Sequence, residues 1–306
     1  MNPAFSVIFF TVLAGAAQGL AVFMALLQLA SQPGRPLLLL GLGTALVLAL
    51  VGLACSFLHL GRPARAWRAV LMWRTSWLSR EVIVLPGFIA VLALWWLMVW
   101  QGRTTAALPI AALLLSVALW ICTGMIYVCI RFIGEWAHWF TLANYALIGL
   151  ASGALVSATL AARTAEAQAS FALQWVALGL LGISAAVRVA SLRRNARLVP
   201  RSTLQSATGI KAADVRQTSM GMTGGAFNTR HFFHGKSVAM LRLVKSGFLL
   251  LGFALPLLAL AVALWTGSSA WLMLALAAHL PGILAERWFF FAQARHPQNL
   301  YYQLVS

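Results

Sequence analysis

The side chains best suited to chemistry sit around one short link between two apolar runs. His59 closes the first run and Glu81 opens the next, with the sequence LHLGRPARAWRAVLMWRTSWLSREV spanning them. A histidine titrates near neutral pH unaided, and a carboxylate does so when desolvation raises its pKa, so the two can hold or pass protons at one membrane face. Ionisable groups are costly at the edge of a bilayer core, and a pair there is a functional hypothesis by default. Each also has a plainer explanation. His59 could be a helix-end histidine with a satisfied hydrogen bond, and Glu81 a first-turn acid that complements the helix dipole behind a Ser79 cap.

The residues around the pair share its membrane face. Arg62, Arg65 and Arg68 recur at three-residue spacing with Trp67, Trp73 and Trp77 interleaved. That pattern predicts a short helix lying in the interface, with Pro63 in its first turn. Most of Arg62, Arg65, Arg68, Arg74 and Arg80 should meet phospholipid head groups, and Arg65 or Arg68 should touch a partner or a bound ligand. Tyr127, Arg131, Glu135, Trp136, His138 and Trp139 gather at the same end of the fourth apolar run, and the aromatics among them suit an interfacial belt. Glu286 and Arg287, near the end of the last run, read as a self-neutralising pair.

Metal and cluster chemistry finds little support. Cys55, Cys122 and Cys129 lie inside apolar runs and form no CxxC, so no iron–sulfur cluster is expected in this chain. His279 falls near the middle of the last run, far in depth from His59, and the other four histidines lie outside the membrane, so no haem is expected either. Nucleotide loops and nucleophile constellations are lacking.

The elements that must hold these residues follow from composition. The chain has 306 residues, 62% hydrophobic and 9% charged. Apolar runs at about 4–30, 37–60, 82–100, 108–130, 142–162, 171–191, 247–266 and 270–290 predict an all-α, polytopic bundle of eight transmembrane helices. It forms a single domain over 1–306 with one extramembrane connector at about 192–246. The N-terminal run lacks a basic n-region and reads as an uncleaved helix. Gly15-x3-Gly19 and Gly149-x3-Gly153 offer small faces for close helix packing.

Net charge is +17, from 22 Lys and Arg against five acids. The charge is confined to loops, so topology and anionic membrane lipid explain it, and nucleic acid is not implied. Eight spans put both termini on one face, called side A here. Of the basic residues, 19 fall on side A and three (Arg35, Arg103, Arg163) on the opposite side B. The positive-inside rule then puts side A and both termini in the cytoplasm, with the protein in the inner membrane. In the connector, Ser219–Gly235 combines glycines with Phe227, Phe232 and Phe233. Aromatics have little use in a floppy tether, so an ordered cover on the bundle or a partner is expected.

The motif His59-Leu60-Gly61-x-Pro63-x-Arg65-Ala66, followed by Ser79-x-Glu81, resembles the membrane anchor subunits of dimethyl sulfoxide reductase-type molybdoenzymes. The resemblance extends over the whole chain in hydropathy and helix count and is sharp over this motif. It implies quinone binding by the matching His59 and Glu81, with ubiquinone or menaquinone as the carrier. Gly61, Arg65, Arg68, Tyr127 and Trp136 are the candidates to complete that pocket. The family has no haem in its anchors. The resemblance also implies partners: an iron–sulfur subunit with several clusters and a molybdopterin catalytic subunit, docked over side A. Arg62, Arg74, Arg230 and Phe232 are the candidate docking residues.

The long connector, with its Thr-Gly-Gly-x-Phe-Asn-Thr-Arg stretch, is similar to the branch serving cytoplasmic sulfite-oxidising enzymes. That favours sulfite oxidation with quinone reduction over a menaquinol-oxidising anchor of a reductase. A secondary transporter stays open as a reading of another class. It should show repeat symmetry and polar midplane breaks, whereas the ionisable groups here crowd one face. A structural tether with the quinone bound elsewhere is the third reading.

Overall fold

The structure, a computed structural model, describes residues 1–58, 60–200 and 202–304. Eight helices are long and apolar enough to cross a membrane: α1 Phe5–Ala30, α2 Arg35–Phe57, α3 Trp77–Trp100, α4 Ala107–Val128, α5 Trp139–Arg163, α6 Ala167–Ala196, α7 Val238–Thr266 and α8 Ser269–Ala292. No strand occurs among the described residues. In lipid, helices of this length satisfy their own backbone groups, which is why apolar runs of this length become spans.

The turns carry the expected chemistry. Pro36 sits in the first turn of α2, where its missing N–H costs nothing. Gly267 ends α7 in the left-handed conformation, at φ +69°, where a side chain would be strained. Two boundaries differ from expectation. Ser76, not Ser79, caps α3, and its hydroxyl accepts from the Ser79 amide at 3.3 Å. Helix α7 starts at Val238 behind a Ser237 cap, well before its apolar stretch, because two amphipathic turns with exposed Arg242 and Lys245 precede the membrane.

Helices α1 and α5 form the centre. Their most apolar windows are 78% and 67% buried, against 28–39% for the other six. Helix α1 packs on α2, α4, α5 and α8, and α5 on α1, α6 and α8. The two small-residue motifs meet each other here: a Cβ on Gly153 would overlap the backbone of Gly19 and Leu20, and one on Gly19 that of Gly149. Backbones that approach this closely gain dispersion contacts and exclude lipid, the main source of helix association without a hydrophobic drive. A second crossing of this kind sets Gly282 of α8 against Gly252 of α7.

On side A, the link between α2 and α3 contains a 3-10 helix, Pro63–Met72, with no buried residue. At three residues per turn its i, i+3 side chains eclipse, so Arg62, Arg65 and Arg68 line one edge, and Trp67, Val70 and Trp73 another. The connector folds into short pieces, Leu204–Thr208, Gly221–Thr223 and Phe227–His231. Its aromatic stretch docks on the C-terminal tail. Phe232 stacks on His296 at 3.8 Å, Asn228 donates to the Tyr302 hydroxyl at 2.7 Å, and Asn299 donates to the Phe232 carbonyl at 3.0 Å.

Candidate functional site

Capping by Ser76 moves the start of α3 to Trp77, which makes Glu81 its fifth residue and takes it out of the first turn. It is 4% exposed. Burial this deep weakens the plainer account of Glu81, because a dipole-complementing acid acts from the exposed first turn. Its carboxylate accepts a short hydrogen bond from the Thr123 hydroxyl of α4. Among the described residues this is the hydrogen bond that Glu81 makes. Thr123 lies one turn inside Tyr127 on the same face of α4, so the carboxylate faces an aromatic end of the bundle. Glu81 is within electrostatic reach of Cys122, Tyr127 and Tyr145.

Tyr127 and Trp136 belong to that aromatic end. Tyr127 is half-buried, stacks on Tyr145 at 5.7 Å and meets Trp136 edge-on at 5.3 Å. Trp136 is buried, lies parallel to Phe290 at 5.6 Å and donates its indole N–H to the Phe290 carbonyl at 3.2 Å. These contacts make Trp136 a wall of the cluster and not a member of an interfacial belt. Trp139, 60% exposed, is left to that belt.

His59 lies outside the described residues. Gly61, Arg62, Arg65, Arg68 and Arg74 are all exposed on the link. A Cβ added to Gly61 would meet no atom within 4 Å, so the space beside it is open. Arg68 and Arg74 lie over the neighbouring Trp67 and Trp73 rings at 5.6 and 5.4 Å. Arg80 covers Trp77 at 4.1 Å and donates twice to the backbone of the link, from Nε to the Trp73 carbonyl at 2.9 Å and from Nη2 to the Arg74 carbonyl at 2.8 Å. It thereby ties the end of the link to α3, close to Glu81. Arg230 is exposed on the connector, while Phe232 is engaged with its own chain's His296.

The sequence reading did not anticipate the ionic triad beside this site. Arg188 of α6 is 1% exposed, with its Nε 2.7 Å from Glu286 Oε1 of α8. Glu286 Oε2 is 3.6 Å from Arg287 Nη2. The pair expected within α8 is therefore a bridge between two helices, with one positive charge in excess. Arg287 lies 3.9 Å over the Tyr145 ring, and Tyr145 stacks on Tyr127. A continuous set of contacts thus runs from the triad to the tyrosines that Glu81 can reach. An arginine inside an otherwise apolar run is the signal that could have found it. His279, a remote haem candidate, has both ring nitrogens hydrogen-bonded, to Gly252 O at 2.7 Å and Ser152 Oγ at 2.9 Å. No group of three or more metal-ligating side chains occurs among the described residues.

Outside the membrane, burial and then the Arg194 charge hold His138 below its ordinary value, which suits its role accepting from the Phe140 amide as the α5 cap.

Comparison with known proteins agrees with this architecture. The family model for the DMSO reductase anchor subunit (DmsC) matches residues 1–291. The C subunit of the sulfite dehydrogenase of Allochromatium vinosum is 43% identical over the full length of both chains. The anaerobic dimethyl sulfoxide reductase chain YnfH of Escherichia coli K12 is 31% identical over 163 residues, covering 49% of this chain and 57% of that one. An eight-span bundle matched along nearly its whole length in this way belongs to the DMSO reductase anchor subunit family.

Proposed function

We propose that this anchor exchanges electrons between the membrane quinone pool and an iron–sulfur subunit docked on side A, with a quinone ring held against Glu81. The observation that carries the reading is the buried Glu81 carboxylate on the Thr123 hydroxyl, at the side A end of the bundle next to a half-buried tyrosine. A quinone supplies two-electron, two-proton chemistry, so its ring oxygens need groups that donate or accept protons. Glu81 suits that task because its carboxylate can take, hold and return a proton at a fixed place in the bundle. Thr123 holds the carboxylate in place. His59 and the Tyr127 hydroxyl are the groups we assign to the other ring oxygen and to lining the pocket, with the open space at Gly61 as the entry. Arg65 and Arg68 would sit at its mouth, and Trp136 would support Tyr127 from behind.

Docking on side A follows from distance, since electrons tunnel only short ranges between carriers. Arg62 and Arg74 on the link and Arg230 on the connector would meet that partner. The distribution of basic residues supports a cytoplasmic side A in the inner membrane. The partner's clusters would pass electrons to or from a molybdopterin catalytic subunit. The relative matched end to end is named for sulfite dehydrogenation, which favours sulfite as the electron donor and quinone as the acceptor.

The test is Glu81→Gln on the purified complex. The variant keeps shape and a hydrogen bond to Thr123 but cannot take up a proton. Quinone-linked turnover should fall about tenfold or more, with activity toward a soluble artificial carrier near normal. Equal loss of both activities would indicate misassembly, and loss of neither would move the quinone away from Glu81.

A further inference from the structure

The ionic triad holds more positive charge than its bonds require. Arg188 and Glu286 already tie α6 to α8 at 2.7 Å, and their charges cancel. Arg287 adds a second guanidinium, 3% exposed and 3.6 Å from the same carboxylate. The three groups therefore leave one positive charge uncancelled inside the bundle. Burying a charge without an opposite one is costly, so a group kept there against that cost is a candidate for function.

Arg287 is only loosely used as a fastener. Its Nε and Nη1 have no hydrogen-bond partner, and neither has the Tyr145 hydroxyl. A small cavity lined by Thr11, Tyr145, Ser152 and Arg287 among others has room for about one water molecule. A water there would meet those groups but, being neutral, would leave the charge uncancelled. What the guanidinium does engage is aromatic: its Cζ lies 3.9 Å over the Tyr145 ring and 5.4 Å from the Phe290 ring. Tyr145 stacks on Tyr127 at 5.7 Å, and Tyr127 is within electrostatic reach of both Arg287 and Glu81. A pair of stacked rings thus links the arginine to the acid. Buried rings have few dipoles free to reorient, so a charge is felt farther through them than through water. Arg65 and Arg68, at the proposed mouth of the pocket, are exposed, where water and salt screen them.

We propose that Arg287 is a positioning residue for the quinone reaction: its uncancelled charge, acting through the Tyr145–Tyr127 pair, favours a bound ring that carries negative charge over a neutral one. The inference rests on the quinone reading above. Electrons from the partner's clusters bring negative charge to the ring oxygens, and protons then neutralise it. With Glu81 ionised, its charge offsets that of the triad. With Glu81 protonated, this end of the bundle is left positive and matches an arriving electron. A ring in contact with Tyr127 would lie no more than about 15 Å from Arg287 Cζ. At an effective dielectric of about 20, a unit charge at that distance changes the affinity for an anion at least about fivefold.

Two quinone analogues, offered to the purified complete complex with no electron donor present, separate charge from shape. One is an alkylated hydroxynaphthoquinone, whose hydroxyl is ionised at neutral pH. The other is its methyl ether, which stays neutral. Equilibrium binding of both is measured for the wild type, Arg287→Gln and Arg287→Lys. Arg287→Gln leaves Arg188 and Glu286 as a matched pair, so the tie between α6 and α8 survives. It should weaken the anion at least about fivefold and the ether less than about twofold. Arg287→Lys keeps the charge and should hold the anion within about twofold of the wild type. Equal loss of both analogues in Arg287→Gln would overturn the proposal, since the residue would then only shape the pocket. Loss of neither would overturn it too, and both results leave the quinone reading standing. Failure of the wild type to bind either analogue would overturn both. Should Arg287→Gln not assemble, Arg287→Lys decides: anion affinity retained supports the charge, and anion and ether lost together overturn it.

Discussion

Glu286→Gln is the sharpest test of how the bundle is held together on side A. The carboxylate bridges Arg188 at 2.7 Å and Arg287 at 3.6 Å, and both Arg188 and Glu286 are 1% exposed. Removing its charge leaves two guanidinium groups buried with no counter-ion. Breaking a buried pair by removing one partner costs about 3–5 kcal/mol, most of it the desolvation of the charge left behind. If the scaling of large soluble chains carries over, the melting temperature should fall on the order of 5–10 °C. Cys122, buried in α4, is a natural reporter: a thiol-reactive fluorophore should label exposed Cys129 at once and Cys122 only on unfolding. The double variant Arg188→Met with Glu286→Met removes one charge of each sign and fills the space with apolar atoms. It should recover about half of the loss, because apolar replacement of a buried pair is often neutral while Arg287 stays without its counter-ion. A single variant costing under about 1 kcal/mol, or a double variant worse than the single, would refute the argument, since it would mean that the triad is hydrated or unpaired in the membrane.

Gly153→Ala should weaken the α1–α5 crossing by about 1–3 kcal/mol, the usual cost of overpacking, because its Cβ meets backbone that cannot turn aside; thermal unfolding at wild-type temperature would count against it. Burial first, then neighbouring positive charge, hold His296 below its ordinary value of 6.5. The folded connector thus favours neutral His296, and its contribution, complete above pH 6.5, is lost as pH falls toward the lower folded value. Limited proteolysis of 204–235 should accelerate as pH falls from about 7.5 to about 5.5, and His296→Phe should flatten that dependence; equal rates in the parent chain would dismiss it. Reporter fusions after Arg194 and at the C-terminus should report cytoplasm and one at Thr104 the far side, and a reversed pattern would move the partner to the other face.

Much of the architecture was legible because hydrophobic run length is a strong signal in lipid. Eight runs became eight spans, with the largest error at Val238, where two amphipathic turns hide the start of α7. The family was legible in the His59–Glu81 motif. Local chemistry misled by a few residues at α3: Ser76 and Ser79 are both good caps, and only the fold shows that Ser76 is used, which places Glu81 one turn deeper. Long-range pairing was not legible. Arg188 and Glu286 lie far apart in the chain, and nothing in either neighbourhood names the other. The two glycine motifs were visible, but that they face each other was not. Trp136 looked like any interfacial tryptophan until the Phe290 carbonyl was found beneath it.

The central position of α1 has a consequence for synthesis. This helix leaves the ribosome well before α5: the Gly149–Gly153 face against which it closes follows roughly a hundred residues or more later. At about 5–20 residues per second, that delay is on the order of ten seconds. During it, Thr11, Gln18 and Gln28, buried at 5%, 2% and 8% exposure in the finished bundle, lack most of their neighbours. Gln28 gains Trp95 and the Thr105 carbonyl once α3 and its following turn arrive, whereas Thr11 turns its hydroxyl back on the Val7 and Ile8 carbonyls of α1 itself, so it is the glycine face that must wait for α5. Nascent chains stalled before Trp139 should therefore keep α1 beside the insertion machinery, and release into lipid should coincide with the emergence of α5.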